Sequence, residues 1–352
     1  MWGDIMGLNN TKKLVDKKAK RTYERIRGLI IHNTNKNIII AYSGGKDSTL
    51  ILHFILRVLK NNLKHIKTQI HLVYSDTGVE IPMYSQYVYT FLDQLGLWSK
   101  REKMENVLRI SIVKPLPTES FWYYLFVKGY PTPTYLFRWC TRRLKTNPMK
   151  RYILQNTPAI VILGVRHNES SNRNKSLNKR RLSKLWSSYD GITGVKAFLP
   201  IIDWNEDEVI EYLKSTTSPW GSSYERLLEL YEKANPCDSI QNNCKLPRFG
   251  CWVCTVIRND RTLEGLAKNG YPLAQELYEF KQYLMNETRK PENRIKLSDG
   301  RYSKVKPEIR EKLFWEFIEF SQKVKYKYNI EIISNEEIKF ITNELKKLNF
   351  GE

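Results

Sequence analysis

The chain has 352 residues, 41% of them hydrophobic, and Lys and Arg outnumber Asp and Glu by 58 to 37, a formal net charge of +21. This composition predicts a globular protein with a full α/β core and a smaller second region. No apolar run approaches the ~20 residues of a membrane-spanning helix, and the first residues carry no signal-peptide pattern, so we expect a cytoplasmic protein without a membrane partner. The charge predicts a polyanionic partner such as DNA, with a generally basic proteome or a solubility effect as the alternative.

The apolar pattern alternates between strands and helices from residue 37 onward, as in parallel α/β folds. Before it, residues 11–31 form a basic segment with helical periodicity. The predicted elements are a strand ending at 42 with a helix to about 59, a strand over 70–74 with a helix over 83–95, strands over 108–113 and 159–163, and the segment 198–203 with a helix over 206–214. The alternation ends after residue 221. We predict a basic helical leader (1–36), an α/β domain (37–218) and a mainly helical, cysteine-rich C-terminal region (219–352).

The most informative motif follows the first predicted strand. It is Tyr-Ser-Gly-Gly-Lys-Asp-Ser, residues 42–48, and an apolar helix is predicted to begin near Ser48. A strand that leads through glycines to a helix N-terminus presents backbone N–H groups to phosphate oxygens, and the helix dipole favours the negative charge. A kinase-type P-loop is excluded, because it requires glycine where Ile40 stands and Ser or Thr where Asp47 stands. The alternative is an ordinary strand–turn–helix corner.

Polar side chains also follow two other predicted strands, in the segments 76–80 and 164–173. Because ligands of open α/β sheets bind at the carboxyl ends of the strands, we expect all three segments to converge on one nucleotide. The residues expected to bind the nucleotide are Tyr42, Ser43, Gly44, Gly45, Lys46, Asp47, Ser48, Asp76, Gly164 and Arg166. Taken singly, Asp76 could instead be a helix cap and Arg166 a surface charge.

Four charged residues in these segments are predicted to be catalytic. Lys46 would balance phosphate charge, and Asp47 would orient the loop or help to hold Mg²⁺, which prefers oxygen ligands. Arg166 and Arg173 would clamp phosphates in a bidentate manner, which lysine does poorly.

Several motifs together resemble the ATP-pyrophosphatase superfamily. The loop 43–48 is similar to that of the superfamily, and Gly-Val-Arg-His-Asn-Glu-Ser-Ser-Asn-Arg at 164–173 resembles an element of its phosphosulfate reductase branch. Within this branch, Arg-Trp-Cys-Thr at 138–141 and Arg-Phe-Gly-Cys-Trp-Val-Cys-Thr at 248–255 resemble the DndC and SspD proteins of bacterial DNA phosphorothioation. The resemblance covers residues 37–265 and implies an adenine nucleotide alpha hydrolase-like fold, with a doubly wound, mainly parallel sheet.

The resemblance also implies an activity. It indicates an ATP pyrophosphatase that adenylates a backbone phosphate oxygen of DNA and releases pyrophosphate, so that sulfur can replace the oxygen. ATP and Mg²⁺ would be cofactors, and a cysteine desulfurase, as sulfur donor, and other phosphorothioation proteins would be partners. The alternatives are a tRNA-thiolating or sulfonucleotide-reducing enzyme of the same superfamily, and a non-catalytic nucleic-acid-binding protein.

The five cysteines predict a metal site. In a cytoplasmic protein they are expected to be reduced ligands or reactants. Four thiolates can hold a tetrahedral zinc or an iron–sulfur cluster, and their spacing does not decide between the two. The DndC resemblance implies a 4Fe-4S cluster. We expect the ligands Cys140, Cys244, Cys251 and Cys254, with Cys237 as an alternative ligand or a sulfur acceptor.

Two further features are candidates for contact with DNA. The polar stretch 168–184 is predicted to be a mobile basic flap over the strand, and a solvated loop is an equally good interpretation. Its cationic residues are Arg173, Lys175, Lys179, Arg180, Arg181 and Lys184. The aromatic residues Trp122, Tyr123, Tyr124 and Tyr135 could stack on splayed bases, although we expect most of them in the core.

Overall fold

The computed structural model describes residues 2–167, 178–236, 247–257 and 259–349. The chain divides into two compact units, each built from segments that are not contiguous in sequence. Unit 1 comprises Met1–Ser75, Tyr87–Val113 and Met149–Glu229, and unit 2 comprises Asp76–Gln86, Lys114–Pro148 and Leu230–Glu352. The three predicted domain ranges stay a prediction, because these units follow internal contacts and not chain order.

Unit 1 is built on a six-stranded sheet. In chain order its strands are β1 (Asn37–Tyr42), β2 (Ile70–Ser75), β3 (Leu108–Val113), β4 (Ala159–Ile162), β5 (Trp186–Ser188) and β6 (Lys196–Phe198). The spatial order is β3-β2-β1-β4-β6-β5, and all neighbours pair in parallel except β5 and β6, which are antiparallel. The predicted doubly wound, mainly parallel α/β sheet is confirmed. The strand order reverses between β1 and β4, the position where such sheets bind ligands.

The helices flank this sheet and form most of the second unit. In chain order they are α1 (Trp2–His32), α2 (Lys46–Asn62), α3 (Pro82–Arg101), α4 (Trp139–Thr141), α5 (Asn147–Gln155), α6 (Glu206–Ser215), α7 (Glu225–Lys233), α8 (Arg261–Lys268), α9 (Pro272–Arg289), α10 (Pro307–Tyr328) and α11 (Asn335–Asn349). None of the helices that the structure describes combines the length and the apolar character that crossing a bilayer requires.

The basic helix α1 packs on unit 1 through its cations. Lys18 Nζ lies 2.7 Å from Glu208 Oε1, and Arg25 Nη1 lies 2.9 Å from Asp203 Oδ1. Charges that are removed from water need a partner of opposite charge. Part of the positive charge of α1 is therefore neutralised by carboxylates of unit 1 in the folded protein. For Lys18 and Arg25, the structure therefore shows packing on unit 1.

Unit 2 has an aromatic core. Trp122 is 1% exposed and its ring centroid lies 3.8 Å from that of Phe317, while Tyr123 is 5% exposed. The expectation that most of the four candidate base-stacking aromatics are core residues therefore holds for these two, whereas Tyr135 is 62% exposed. The unit also contains a short hairpin, β7 (Arg294–Lys296) and β8 (Tyr302–Val305), within the region predicted to be mainly helical.

Candidate nucleotide-binding and cysteine sites

The predicted phosphate loop joins β1 to α2 in unit 1. Gly44 has a φ of 80°, a conformation that residues with a side chain rarely adopt, and Gly45 is the N-cap of α2. Ser48 Oγ donates a hydrogen bond to the Gly45 carbonyl at 2.9 Å and lies 3.1 Å from Ser43 Oγ. The helix begins at Lys46, two residues before the predicted start. These bonds fix a turn that presents the N-terminus of α2, where anions bind favourably.

Four charged side chains meet at this N-terminus. Lys46 Nζ lies 2.9 Å from Glu206 Oε1, and Arg166 Nε donates to Asp47 Oδ1 at 2.6 Å. Arg166 Nη2 also lies 3.4 Å from Glu206 Oε1. Lys46 and Arg166 are 6% and 4% exposed, so the carboxylates compensate the cost of burying two cations. The predicted surface-charge alternative for Arg166 is therefore wrong.

The network is suited to a nucleotide with several phosphates. Two buried cations beside a helix N-terminus neutralise phosphate oxygens, and Glu206, whose side chain is 36% exposed, is a partner that a phosphate can replace. Asp47 and Glu206 supply the carboxylate oxygens that Mg²⁺ prefers. In donor type, these residues fit a magnesium–ATP complex.

Glu206 was missed by the sequence analysis. It is the first residue of α6, whose N-cap Asn205 accepts a hydrogen bond from the Glu208 N–H at 2.8 Å. The signal was present in the sequence, since the acidic first turn of a predicted helix follows the buried segment 199–202. That segment follows β6, a strand parallel to β4, as the other polar segments follow their strands.

Gly164 brings the residues after β4 close to the phosphate loop. A Cβ at this position would lie 3.3 Å from the carbonyl carbon of Asp47 and 3.3 Å from the Ser48 nitrogen. Because these are backbone atoms of the first turn of α2, they cannot move aside independently. The glycine is therefore needed for a close approach between the two segments.

We expect Gly164→Ala to weaken ATP binding roughly tenfold, because it displaces the first turn of α2 and catalysis and binding depend on such placement. Gly28→Ala is the matched control, since an added Cβ at Gly28 meets no atom within 4 Å. Isothermal titration with a non-hydrolysable ATP analogue measures the effect. Equal affinities for the two variants would contradict the role assigned to Gly164.

The structure thus brings most predicted nucleotide residues together in unit 1: Tyr42, Ser43, Gly44, Gly45, Lys46, Asp47, Ser48, Gly164 and Arg166. Arg173 lies outside the described residues. Asp76 belongs to unit 2, where its Oδ1 accepts a hydrogen bond from the Gly78 N–H at 2.8 Å and its Oδ2 lies 3.4 Å from Lys114 Nζ. Asp76 therefore stabilises its own turn, and its predicted contact with the nucleotide stays a prediction.

Three cysteines of unit 2 share one electrostatic environment. Cys251 pairs with Glu80 through a β-bridge, and its Sγ lies 3.5 Å from Thr77 Oγ1. Burial raises the pKa of Cys251 to about 11, and burial and the neighbouring Cys254 raise the pKa of Cys140. The negative charge of the Cys251 thiolate in turn raises the pKa of Lys145.

Glu80 is a second perturbed group at this position. Burial raises its pKa to about 7, and the negative charge of Asp76 acts in the same direction, while the cation of Lys145 opposes both. Its Oε2 accepts a hydrogen bond from the Thr77 N–H at 3.0 Å. Glu80 thus connects the turn 76–80 to the strand-like segment at Cys251.

The predicted metal ligands are partly described. Over the described ranges, no group of three or more His, Cys, Asp or Glu side chains is arranged to hold a metal ion. Cys237 and Cys244 lie outside these ranges. The described thiols of Cys140, Cys251 and Cys254 are free, and thiols are the ligand type of an iron–sulfur cluster. The four-cysteine site stays a prediction, as does the choice between 4Fe-4S and zinc.

Comparison with known proteins defines the family. Residues 37–257 match the phosphoadenosine phosphosulfate reductase domain. The chain belongs to this family. This confirms the predicted branch of the ATP-pyrophosphatase superfamily. Every residue of the nucleotide site described above lies within the matched range.

Two curated relatives come from Methanocaldococcus jannaschii. Uncharacterized protein MJ0066 is 30% identical over 240 residues, which are 68% of this chain and 38% of the relative. Uncharacterized protein MJ0973 is 25% identical over 267 residues, 75% of this chain and 53% of the relative. The chain therefore spans about half the length of these relatives or less.

Two of the solved structures to which the chain shows limited similarity are a reductase and a tRNA thiolase. A phosphoadenylyl-sulfate reductase from Candida auris, in a phosphate complex, is 15% identical, with a TM-score of 0.43 over 69% of this chain and 96% of that chain. The U34-tRNA thiolase NcsA from Methanococcus maripaludis, with its 4Fe-4S cluster, is 17% identical, with a TM-score of 0.35 over 77% of this chain and 80% of that chain.

Proposed function

We propose that this protein is an ATP pyrophosphatase that adenylates a backbone phosphate oxygen of DNA and so activates it for replacement by sulfur. The observation that carries the ATP part is the pair of buried cations, Lys46 and Arg166, held beside the N-terminus of α2. Membership in a family named for a nucleotide-dependent sulfur reaction supports the connection to sulfur. The net charge of +21 and the resemblance to DndC and SspD support DNA as the acceptor.

The proposed reaction has two steps. A non-bridging oxygen of the DNA phosphate attacks the α-phosphorus of ATP, the bond between the α-phosphorus and the bridging oxygen breaks, and pyrophosphate leaves. Lys46 and Arg166 would stabilise the negative charge on the leaving pyrophosphate, as positioned cations do in other phosphoryl-type transfers. A hydrosulfide-level nucleophile then attacks the DNA phosphorus, and AMP leaves with the former DNA oxygen.

Two bound groups would assist this chemistry. Mg²⁺, held through Asp47 or Glu206, would neutralise phosphate charge when bound. A 4Fe-4S cluster, held by Cys140, Cys251 and Cys254 together with Cys244 or Cys237, would supply iron as a binding place for sulfur. A cysteine desulfurase would deliver this sulfur as a persulfide, and a thiol reductant would supply the two electrons that bring it to the hydrosulfide level.

The products of ATP cleavage test the proposal. Purified protein is incubated with Mg²⁺ and α-labelled ATP, alone and with duplex DNA, single-stranded DNA, tRNA or a sulfonucleotide plus a thiol reductant. We expect release of pyrophosphate that DNA stimulates, with the α-label on adenylated DNA or, after its hydrolysis by water, in AMP. ADP and phosphate would contradict adenylation. Stimulation by tRNA alone, or reduction of the sulfonucleotide, would assign the site to the alternative reactions of the superfamily.

The basic hairpin of residues 181–187 is the first candidate for DNA contact in unit 1. Leu182 N–H donates to the Trp186 carbonyl at 2.9 Å and Arg181 forms a β-bridge with Ser187, so the end of the predicted flap forms one arm of a hairpin and the start of β5 forms the other. Arg181 and Lys184 are exposed on it, and Arg180 lies just before it, 3.3 Å from Asp190. The residues of the flap from 168 to 177, including Lys175, lie outside the described residues.

We expect neutralising Arg180, Arg181 and Lys184 together to weaken DNA binding and to lower the slope of log affinity against log salt by about 2 to 3. Cleavage of ATP without DNA should change little, because the hairpin residues do not take part in the Lys46–Arg166 network. Fluorescence anisotropy at several salt concentrations measures the slope. Wild-type affinity and slope in the triple variant would exclude this hairpin as the contact surface.

A further inference from the structure

A turn in unit 2 presents three consecutive apolar side chains to solvent. Tyr135, Leu136 and Phe137 are 62%, 93% and 47% exposed. We call residues 135–137 the aromatic tip. Apolar side chains exposed singly are common on protein surfaces, but contiguous ones rimmed by polar residues mark binding sites.

The aromatic tip is held by a defined turn. Thr134 N–H donates to the Phe137 carbonyl at 3.2 Å, and Phe137 N–H donates to Thr134 Oγ1 at 3.0 Å. Two residues further on, Trp139 is 4% exposed and its Nε1 donates to the Pro131 carbonyl at 2.9 Å. Because both ends of the turn are anchored, its backbone is held in a fixed conformation, which lowers the entropic cost of binding.

Arginines surround the aromatic tip. The Arg138 guanidinium carbon lies 4.7 Å from the centroid of the Tyr135 ring, and that of Arg143 lies 3.9 Å from the centroid of the Tyr124 ring. Arg142 is exposed between them. In the part of the chain that the structure describes, no carboxylate forms an ion pair with Arg138, Arg142 or Arg143. Their charge is therefore available to an external anion.

The sequence around the aromatic tip contains cationic residues and no carboxylates over a long stretch. Residues 120–148, which belong to unit 2, contain no Asp or Glu and five Lys or Arg residues. The basic helix α1 differs, because Lys18 and Arg25 pair with carboxylates of unit 1. A stretch without carboxylates attracts anions and repels other cationic surfaces.

We propose that the aromatic tip, with Arg138, Arg142 and Arg143, binds an unpaired segment of a nucleic acid strand. Tyr135 and Phe137 would stack on bases and the arginines would contact phosphates, a combination typical of single-strand binding. This inference rests on the nucleic-acid substrate of the proposed function and adds where the strand is held and in which form. Paired bases inside a duplex are stacked on one another, so the rings favour unpaired ones.

The test measures the affinity of the full chain for a fluorescent 20-nucleotide oligothymidine and for a duplex hairpin at several salt concentrations. We expect Tyr135→Ala/Phe137→Ala to bind oligothymidine roughly tenfold more weakly or worse, with an unchanged salt slope, because stacking involves no charge. Arg138→Gln/Arg142→Gln should instead lower the slope by about 1.4, at about 0.7 for each phosphate contact. Tyr326→Ala is the matched control, since Tyr326 is 94% exposed between two lysines.

The outcomes separate the two proposals. Loss of affinity in the aromatic variant but not in Tyr326→Ala, stronger for oligothymidine than for the hairpin, supports the strand site. If the wild type binds oligothymidine and the aromatic variant binds it equally well, the strand site is wrong and the proposed function is unaffected. If the wild type binds neither nucleic acid, the DNA substrate itself fails. Binding of the same variants to vesicles of anionic lipid is measured in parallel. If the aromatic variant loses affinity for the vesicles but not for oligothymidine, the aromatic tip belongs to a membrane surface and the inference is overturned.

Discussion

Lys46→Ala is expected to reduce pyrophosphate release from ATP by roughly a hundredfold or more, the usual effect of removing a positioned charge from a reacting phosphate or oxyanion. The side chain of Lys46 is 7% exposed and its Nζ lies 2.9 Å from Glu206. Without it, Arg166 is the remaining cation of the described network at this helix N-terminus, and Glu206 adds unbalanced negative charge where the phosphates would bind. The measurement is a coupled pyrophosphate assay at saturating ATP and Mg²⁺.

Lys60→Ala is the matched control for this experiment. Lys60 lies on the same helix, in its last turn, and is exposed. It should retain wild-type activity, and circular dichroism should show that both variants are folded. Pyrophosphate release by Lys46→Ala at the wild-type rate would show that the loop does not bind the phosphates as proposed.

The second large effect concerns the cysteines. Anaerobically purified protein is expected to be brown and to contain iron and sulfide, and Cys251→Ser or Cys254→Ser should remove most of both. A bound cluster must hold these cysteines as thiolates, although burial raises the pKa of Cys251 to about 11. Serine binds iron less tightly than a thiolate does, so each Ser variant should lose the cluster. Absorption spectra with iron and sulfide analysis provide the measurement.

Cys237→Ser and Cys244→Ser complete this set. With the predicted ligands, Cys244→Ser should lose the cluster and Cys237→Ser should retain it. The reverse result would exchange their roles. Stoichiometric zinc without iron in the anaerobic protein would replace the cluster by a structural zinc site.

Local features of the chain made the sheet and the phosphate loop predictable. The strand ending at Tyr42, the glycine pair and the helix lie within one continuous segment, where backbone constraints act between neighbours. The same reasoning placed Arg166 and Gly164 at the carboxyl end of β4. Strands β5, β7 and β8 were missed because they have only three or four residues each, too few to show a periodic pattern.

The sequence by itself determined the family, the parallel α/β sheet and the residues of the phosphate loop, because these depend on contiguous motifs. Only the tertiary structure showed that Glu206 pairs with Lys46 and Arg166 and that Asp203 and Glu208 bind the cations of α1. It also separated the buried Trp122 from the exposed Tyr135, which look alike in the sequence. The physical reason is that ion pairs and side-chain burial depend on contacts between residues far apart in the chain. Such contacts produce no pattern in the local sequence.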